Sequence, residues 1–263
     1  MEEITKITHL RNNEEYYCMQ EPFDFLYNKS QKENNFYLLI KYIRLAYRNT
    51  KTNNGSKTNG LSGKNMTFIG NMVLWKYLKE IKEIITDYYN PSIIKRVGIP
   101  KSNGKIRYLG IKEPIDKIVE QPIYQILELI LTAKFHNNSN GFIKGRSTAI
   151  CHRLRYKSFF DNVNQGKLLK QLWSCGVKDK NLLSLISKML KAEISKVGIP
   201  DKGTTQGGVL SPLLANLVLN ELDWWLESKS TKGIQFVRYA DDVKILCPTY
   251  SIARDMLEKT VNC

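Results

Sequence analysis

Histidine is nearly missing from this chain, with three in 263 residues, and cysteine occurs five times, at Cys18, Cys151, Cys175, Cys247 and Cys263. Those numbers and spacings exclude a zinc-ligand cluster, a Cys-x-x-Cys redox pair and an evident Ser-His-Asp or Cys-His arrangement. Any metal must therefore be held by carboxylates, which favours a hard ion such as Mg²⁺. An odd, scattered set of cysteines implies a reducing compartment. No run of 18 apolar residues is present, and the N-terminus opens on Met1-Glu2-Glu3, unlike the basic start of a signal peptide. The expectation is an intracellular protein without a membrane partner.

Acidic residues are the other shortage. Forty Lys and Arg stand against 25 Asp and Glu, leaving a formal charge of +15. A surplus of that size points first to nucleic acid and, more weakly, to a membrane surface. A hydrophobic share of 42% is ordinary for a globular core, so the chain is expected to fold.

Helical spacing is found over 35–48, where Phe36, Leu39, Ile40, Ile43, Leu45 and Tyr47 form a stripe, and again over 69–88. Residues 49–65, rich in Asn, Gly, Ser, Thr and Lys, read as a basic loop. The best hairpin signal is Lys101-Ser102-Asn103-Gly104 between 95–100 and 105–111. Pro114 can open a helix whose stripe runs Ile115, Ile118, Val119, Ile123, Ile126, Leu127, Ile130 and Leu131, with Pro122 as a potential kink. Two short helices parted near Gly176 are predicted over 165–192, and a strand pair over 194–205. Ser211-Pro212 reads as the N-cap and first turn of a helix to Glu227, and 235–239 with 243–246 as a hairpin carrying Asp241 and Asp242 at its tip. The order implies an α+β fold, with helices packed on an antiparallel sheet.

Adjacent carboxylates on a hairpin repel, and a divalent cation is the usual compensation, although an exposed turn is the plainer explanation of Asp there. The surroundings decide between them. Phe236-Val237-Arg238-Tyr239-Ala240-Asp241-Asp242-Val243-Lys244-Ile245-Leu246 resembles the palm hairpin of reverse transcriptases. The run from Gly203 to Asn216, with Gln206-Gly207-Gly208 and Ser211-Pro212-Leu213-Leu214, resembles the Gln-Gly turn of that family and the helix after it. Residues 95–111 and Gly141-Phe142-Ile143-Lys144-Gly145-Arg146-Ser147 resemble the fingers motifs of group II intron enzymes.

The resemblance implies a right-hand polymerase, with an N-terminal extension over 1–35, a fingers-like region over 36–150 and a partial palm over 151–263. It implies an RNA-directed DNA polymerase of a group II intron, adding dNTPs to a primer on an RNA template with two Mg²⁺ ions (or Mn²⁺) and serving intron splicing and mobility. Intron RNA and a DNA target site are further implied partners, and a bacterial cytoplasm, or alternatively an organelle, is the implied setting. Asp241 and Asp242 would hold the metal, as two-ion phosphoryl transfer needs clustered carboxylates. Lys101 and Arg107 would touch the nucleotide's phosphates, with Lys105 on the same basic hairpin; nonspecific backbone binding is the alternative. Gln206 would lie at the nucleotide pocket, Arg146 at the template strand, and Phe160 would be the steric gate against the 2′-hydroxyl or else a core aromatic.

Several positions depart from the family pattern. Lys157-Ser158-Phe159-Phe160-Asp161-Asn162-Val163 resembles the end of the first catalytic strand, where an Asp belongs five residues before the second Phe; Arg155 occupies that place. A guanidinium cannot ligate Mg²⁺. Asp161 is no obvious substitute, since in a continuous strand it would lie some 20 Å further along at roughly 3.3 Å per residue. The interval before Arg155 is also short, as if a segment had been deleted. Thr205 stands where the family usually has Pro, and Ile143-Lys144 replaces the commoner Arg-Pro. The chain ends at Cys263, 21 residues after Asp242, so the thumb and maturase domain are expected to be missing. A catalytically dead RNA-binding remnant and a retron-type enzyme are the alternative readings.

Overall fold

In the computed structural model, residues 50–70, 89–101, 104–143, 146, 154–155 and 159–261 are described. The helix expected over 35–48, and all but residues 69–70 of that expected over 69–88, fall outside them. The stretch expected as a loop over 49–65 is not wholly irregular, since residues 50–52 are helical and Asn54–Lys57 form a 3-10 turn; a short helix α1, Met66–Gly70, follows it.

The Lys101 to Gly104 signal makes the hairpin it predicts. Strand β1 (Lys95–Pro100) pairs antiparallel with β2 (Ile106–Ile111), from Lys95 opposite Ile111 to Pro100 opposite Ile106. The turn closes through the Lys101 amide donating to the Lys105 carbonyl at 2.8 Å, and Gly104 takes φ +77°, a region that favours glycine. Helix α2 (Pro114–Thr132) follows, with proline in the first turn, where its missing N–H costs nothing. Its predicted stripe is the one that is buried: Ile118, Val119, Ile123, Ile126, Leu127, Ile130 and Leu131 are at most 2% exposed.

That stripe packs against three more helices. Helix α4 (Gln165–Ser174), after the short turn α3 (Phe159–Asn162), is capped by the Asn164 side chain accepting from the Lys167 amide, and α5 (Lys180–Leu190) by Asp179 accepting from the Asn181 and Leu182 amides. Between them Gly176 takes φ +97°, which reverses the chain where the sequence predicts the break. Leu168, Leu172, Leu182, Ile186 and Met189 join the α2 residues and Leu213, Leu214 and Leu217 of α6 (Ser211–Glu227) in one core. Each such side chain contributes about 1.5–3 kcal/mol by burial.

The second half of α6 belongs to another core. Leu219, Leu222 and Leu226 pack with Ile234, Phe236, Val243 and Met256, under a three-stranded antiparallel sheet ordered β3 (Leu154–Arg155), β5 (Asp242–Leu246), β4 (Gln235–Tyr239). Helix α7 (Tyr250–Val261) contributes Met256. The expected α+β arrangement is thus present, and α6 connects its helical core to its sheet.

Three expectations are corrected. Residues 194–205 form no strand pair; they hold a tight turn in which the amides of Ile194 and Gly198 each donate to the other's carbonyl at 2.9 Å, and Gly198 (φ +91°), Pro200 and Gly203 (φ +88°) prevent a longer ladder. Ser211 does not cap α6. Leu210 is the cap residue, and the Ser211 hydroxyl donates instead to the Thr205 carbonyl at 2.6 Å. Residues 159–162 turn as a helix and do not prolong β3, so the 20 Å separation inferred for Asp161 from a continuous strand does not apply.

Candidate active site

The aspartates sit where β4 turns into β5. Tyr239 pairs with Asp242, so the connection is only Ala240-Asp241, and Ala240 adopts φ +55° within a buried position. A tight hairpin needs such a residue, and alanine there is strained. Asp242 is the first residue of β5 and not part of the tip, whereas Asp241 lies in the turn; both are half-buried. Like charges this close in sequence, removed in part from water, call for a cation.

On its other side Asp242 pairs with Arg155 of β3. The strand assigned to the first catalytic motif is therefore beside the aspartates, as expected, and brings an arginine to the register position where a carboxylate was expected. A short way further along the chain, α3 reaches a second cluster. Phe160, half-buried and edge-on to Phe159, accepts through its carbonyl from the Thr204 amide at 2.8 Å. Gln206 Nε2 donates to Asp161 Oδ1 at 3.3 Å, while Arg107 Nε donates to Gln206 Oε1 at 3.0 Å. The hairpin β1–β2, the Gln-Gly turn and α3 thus meet in one polar chain.

Backbone packing holds that chain in place. The Gly110 amide donates to the Gln206 carbonyl at 2.7 Å, and Gly207, at φ +109°, lies so close to the Gly110 carbonyl that a Cβ would stand 2.6 Å from it. Beneath, the buried Lys112 and Glu120 form an ion pair, and Glu120 Oε2 also accepts from the Val209 amide at 3.1 Å. The expected nucleotide residues do not all converge. Arg107 and Gln206 touch and Phe160 adjoins them, whereas Lys101 and Lys105 lie exposed at the hairpin end. Arg146 Nη1 donates to the carbonyls of His136 and Ser139, at 2.7 and 2.9 Å, so its guanidinium holds a loop.

Sequence reading missed the group under the aspartate turn. Arg238 is fully buried, and its donors reach Asp223 (Nε to Oδ1, 2.7 Å; Nη2 to Oδ2, 2.6 Å), Asn216 Oδ1 (2.8 Å), the Ala240 carbonyl (2.9 Å) and Ser139 Oγ (2.6 Å). Loop residues 138–140 pair with the Arg238 backbone in both directions, and Asn216 Nδ2 donates to the Gly141 carbonyl at 2.6 Å. The signal was available. Arg238 alternates with Phe236 and Ala240 on the inner face of β4, and Asn216 and Asp223 are seven apart on α6, hence on one face.

Comparison with known proteins agrees with this geometry. The family described as reverse transcriptase (RNA-dependent DNA polymerase) matches residues 99–263. Protein YkfC of Escherichia coli is 31% identical over 217 residues, covering 73% of this chain and 56% of YkfC. The group II intron-encoded protein LtrA of Lactococcus lactis subsp. cremoris is 33% identical over 205 residues, 70% of this chain and 33% of LtrA. A 91 kDa protein in the cob intron of Schizosaccharomyces pombe is 30% identical over 201 residues, 70% of this chain and 24% of that protein. The chain spans about half the length of YkfC and a third or less of the other two. It belongs to the reverse transcriptase family.

Proposed function

We propose that this chain forms the nucleotide- and metal-binding part of an RNA-directed DNA polymerase of the group II intron type, which extends a primer on an RNA template from dNTPs in a bacterial cytoplasm or an organelle. The observation that supports it best is a single run of chain. Strand β3 pairs Arg155 with Asp242, and immediately afterwards α3 delivers Phe160 and Asp161 to Thr204 and Gln206. The aspartate turn and the Arg107–Gln206 pair are thereby joined by one short segment. In this reading residues 36–150 are fingers and 151–263 a partial palm. Intron RNA and a DNA target are the larger partners, consistent with a charge of +15.

Each group then has a chemical task. Arg107, with Lys101 and Lys105 on the same hairpin, neutralises the triphosphate, and Gln206 hydrogen-bonds the sugar or base. Phe160 lies against the sugar, and Arg146 fixes the loop beside the template. Asp241 and Asp242 are adjacent hard oxygen donors and fit one Mg²⁺. When bound, that ion would polarise phosphoryl oxygens and offset developing charge. Among the described residues no three His, Cys, Asp or Glu are grouped, and Arg155 holds the register position facing Asp242, so the residues present do not fit a bridged pair of ions.

Primer extension on an RNA template with Mg²⁺ tests this reading. Changing Asp241 and Asp242 to Ala abolishes incorporation, whereas Arg155→Asp, by supplying the third carboxylate, raises it. Equal incorporation by all three proteins would overturn the assignment and favour a remnant that binds RNA without chemistry.

A further inference from the structure

We propose that Arg238 is the positioning residue of the aspartate turn: held by Asp223, Asn216 and Ser139, it sets the orientation of the Ala240–Asp241 peptide and, through it, of both carboxylates. The proposal rests on the reading of Asp241 and Asp242 as metal ligands, and its test separates the two.

A guanidinium has five N–H donors in a rigid plane. Arg238 directs them to Asp223 twice, Asn216, Ser139 and Ala240. Four bonds fix the plane from one helix, α6, and a loop, and the fifth is aimed at the Ala240 carbonyl, in the peptide that precedes Asp241. That peptide needs fixing, because Ala240 sits at φ +55° without glycine's freedom. A turn strained in this way relaxes unless its surroundings hold it.

Simple burial does not explain the arrangement. An ion pair alone would be satisfied by Asp223, and apolar packing of similar volume would stabilise a core as well or better. Here the remaining donors all converge on what flanks the turn. Asn216 accepts from Arg238 while donating to the Gly141 carbonyl, and a Cβ on Gly141 would collide with the Ala240 backbone nitrogen. Ser139 accepts from Arg238 and lies between Asn138 and Asn140, whose backbones bond to that of Arg238 at 2.8 Å each. The loop thus grips the turn from outside while Arg238 grips it from within. Phe142, itself at φ +59°, and Tyr239 stand half exposed at the turn with ring centroids 6.4 Å apart.

The sequence offers a probe of that one peptide. Ala-Asp occurs once in the chain, at 240–241. Labelling the full-length protein with ¹³C-carbonyl alanine and ¹⁵N aspartate therefore yields a single carbonyl–amide correlation, which reports the Ala240–Asp241 peptide alone. Arg238→Lys keeps the charge facing Asp223 but cannot span Asn216 and Ala240 together. The expected result is a displaced or exchange-broadened signal in Arg238→Lys, with Mg²⁺ affinity, read by titrating that signal, reduced at least tenfold. Leu222→Ala, a cut in the neighbouring core outside the network, leaves signal and affinity as in the unaltered protein. Should Arg238→Lys not fold, Asn216→Ala carries the same expectation, because it leaves the Arg238–Asp223 pair whole.

An unmoved signal in a folded Arg238→Lys or Asn216→Ala protein, or an equal change in Leu222→Ala, overturns the proposal. If the unaltered signal ignores Mg²⁺, the metal reading fails by itself, and the response of the signal to Arg238→Lys still decides whether Arg238 sets the turn.

Discussion

Two arginines serve opposite sides of the same site in different ways. Arg238 is sealed from water, and its guanidinium donates to four partners, whereas Arg107 lies exposed on a hairpin and reaches Gln206, which in turn reaches the exposed Asp161. A buried guanidinium stripped of its partners is very costly, so Arg238 has one arrangement. Arg107 can exchange its partner for water or phosphate at little cost. One side of the site is thus constrained in advance and the other can yield, which is what the proposed metal role of the aspartates and the proposed nucleotide role of Arg107 and Gln206 require.

The contrast is broken most severely at Asp223. Replacing it with Ala leaves a charged guanidinium in a dry core, and the expected loss is about 3–5 kcal/mol of stability. Urea unfolding measures this directly, and a loss below about 1 kcal/mol would mean that the Arg238 pocket admits water or relaxes. Gln206→Ala is the matching change on the open side. Stability is expected to move by no more than about 0.5 kcal/mol, because water replaces the lost bonds. Nucleotide affinity, titrated with template and primer present, should fall about three- to tenfold, the worth of one hydrogen bond. A large loss of stability would show that the chain from Arg107 to Asp161 is part of the scaffold.

Much of the fold was legible because its elements announce themselves locally. The α2 stripe, the break at Gly176 and the Gly104 turn each follow from spacing or from a residue that backbone geometry demands. The strand pair expected over 194–205 failed for the same physical reason in reverse, since two positive-φ glycines and a proline outweigh a few β-branched residues. The site divides likewise. Asp241 and Asp242 are visible as a pair in sequence, and so is Arg155 as a departure. The contact of Gln206 with Arg107 joins residues 99 apart, and the pairing of Arg238 with Asp223 joins different elements. Such contacts depend on how α6 crosses the sheet, which no local pattern encodes. Net charge does not say where each cation is used: Arg238 and Arg146 count toward the surplus that suggests nucleic acid, yet both donate to the protein itself.

The smallest expected effect concerns a buried carboxylate without an arginine. Asp116, 3% exposed on α2, accepts from the Tyr89 hydroxyl at 2.8 Å and the Ser92 amide at 3.3 Å. Burial raises its pKa above the ordinary carboxylate range, outweighing those hydrogen bonds and the nearby Lys112, all of which act to lower it. The folded state therefore holds the Asp116 proton more tightly than the unfolded chain. Its contribution to stability is then greatest below the unfolded pKa, about 3.9, and is lost as pH rises through the folded value. An asparagine in its place would keep an oxygen acceptor for Tyr89 and Ser92 and remove the titration. Asp116→Asn should consequently compare better with the unaltered protein at pH 7 than at pH 4 in urea unfolding, by far less than the Asp223→Ala loss. A difference of the opposite sign would mean that the hydrogen bonds from Tyr89 and Ser92, with the nearby Lys112, outweigh burial at Asp116.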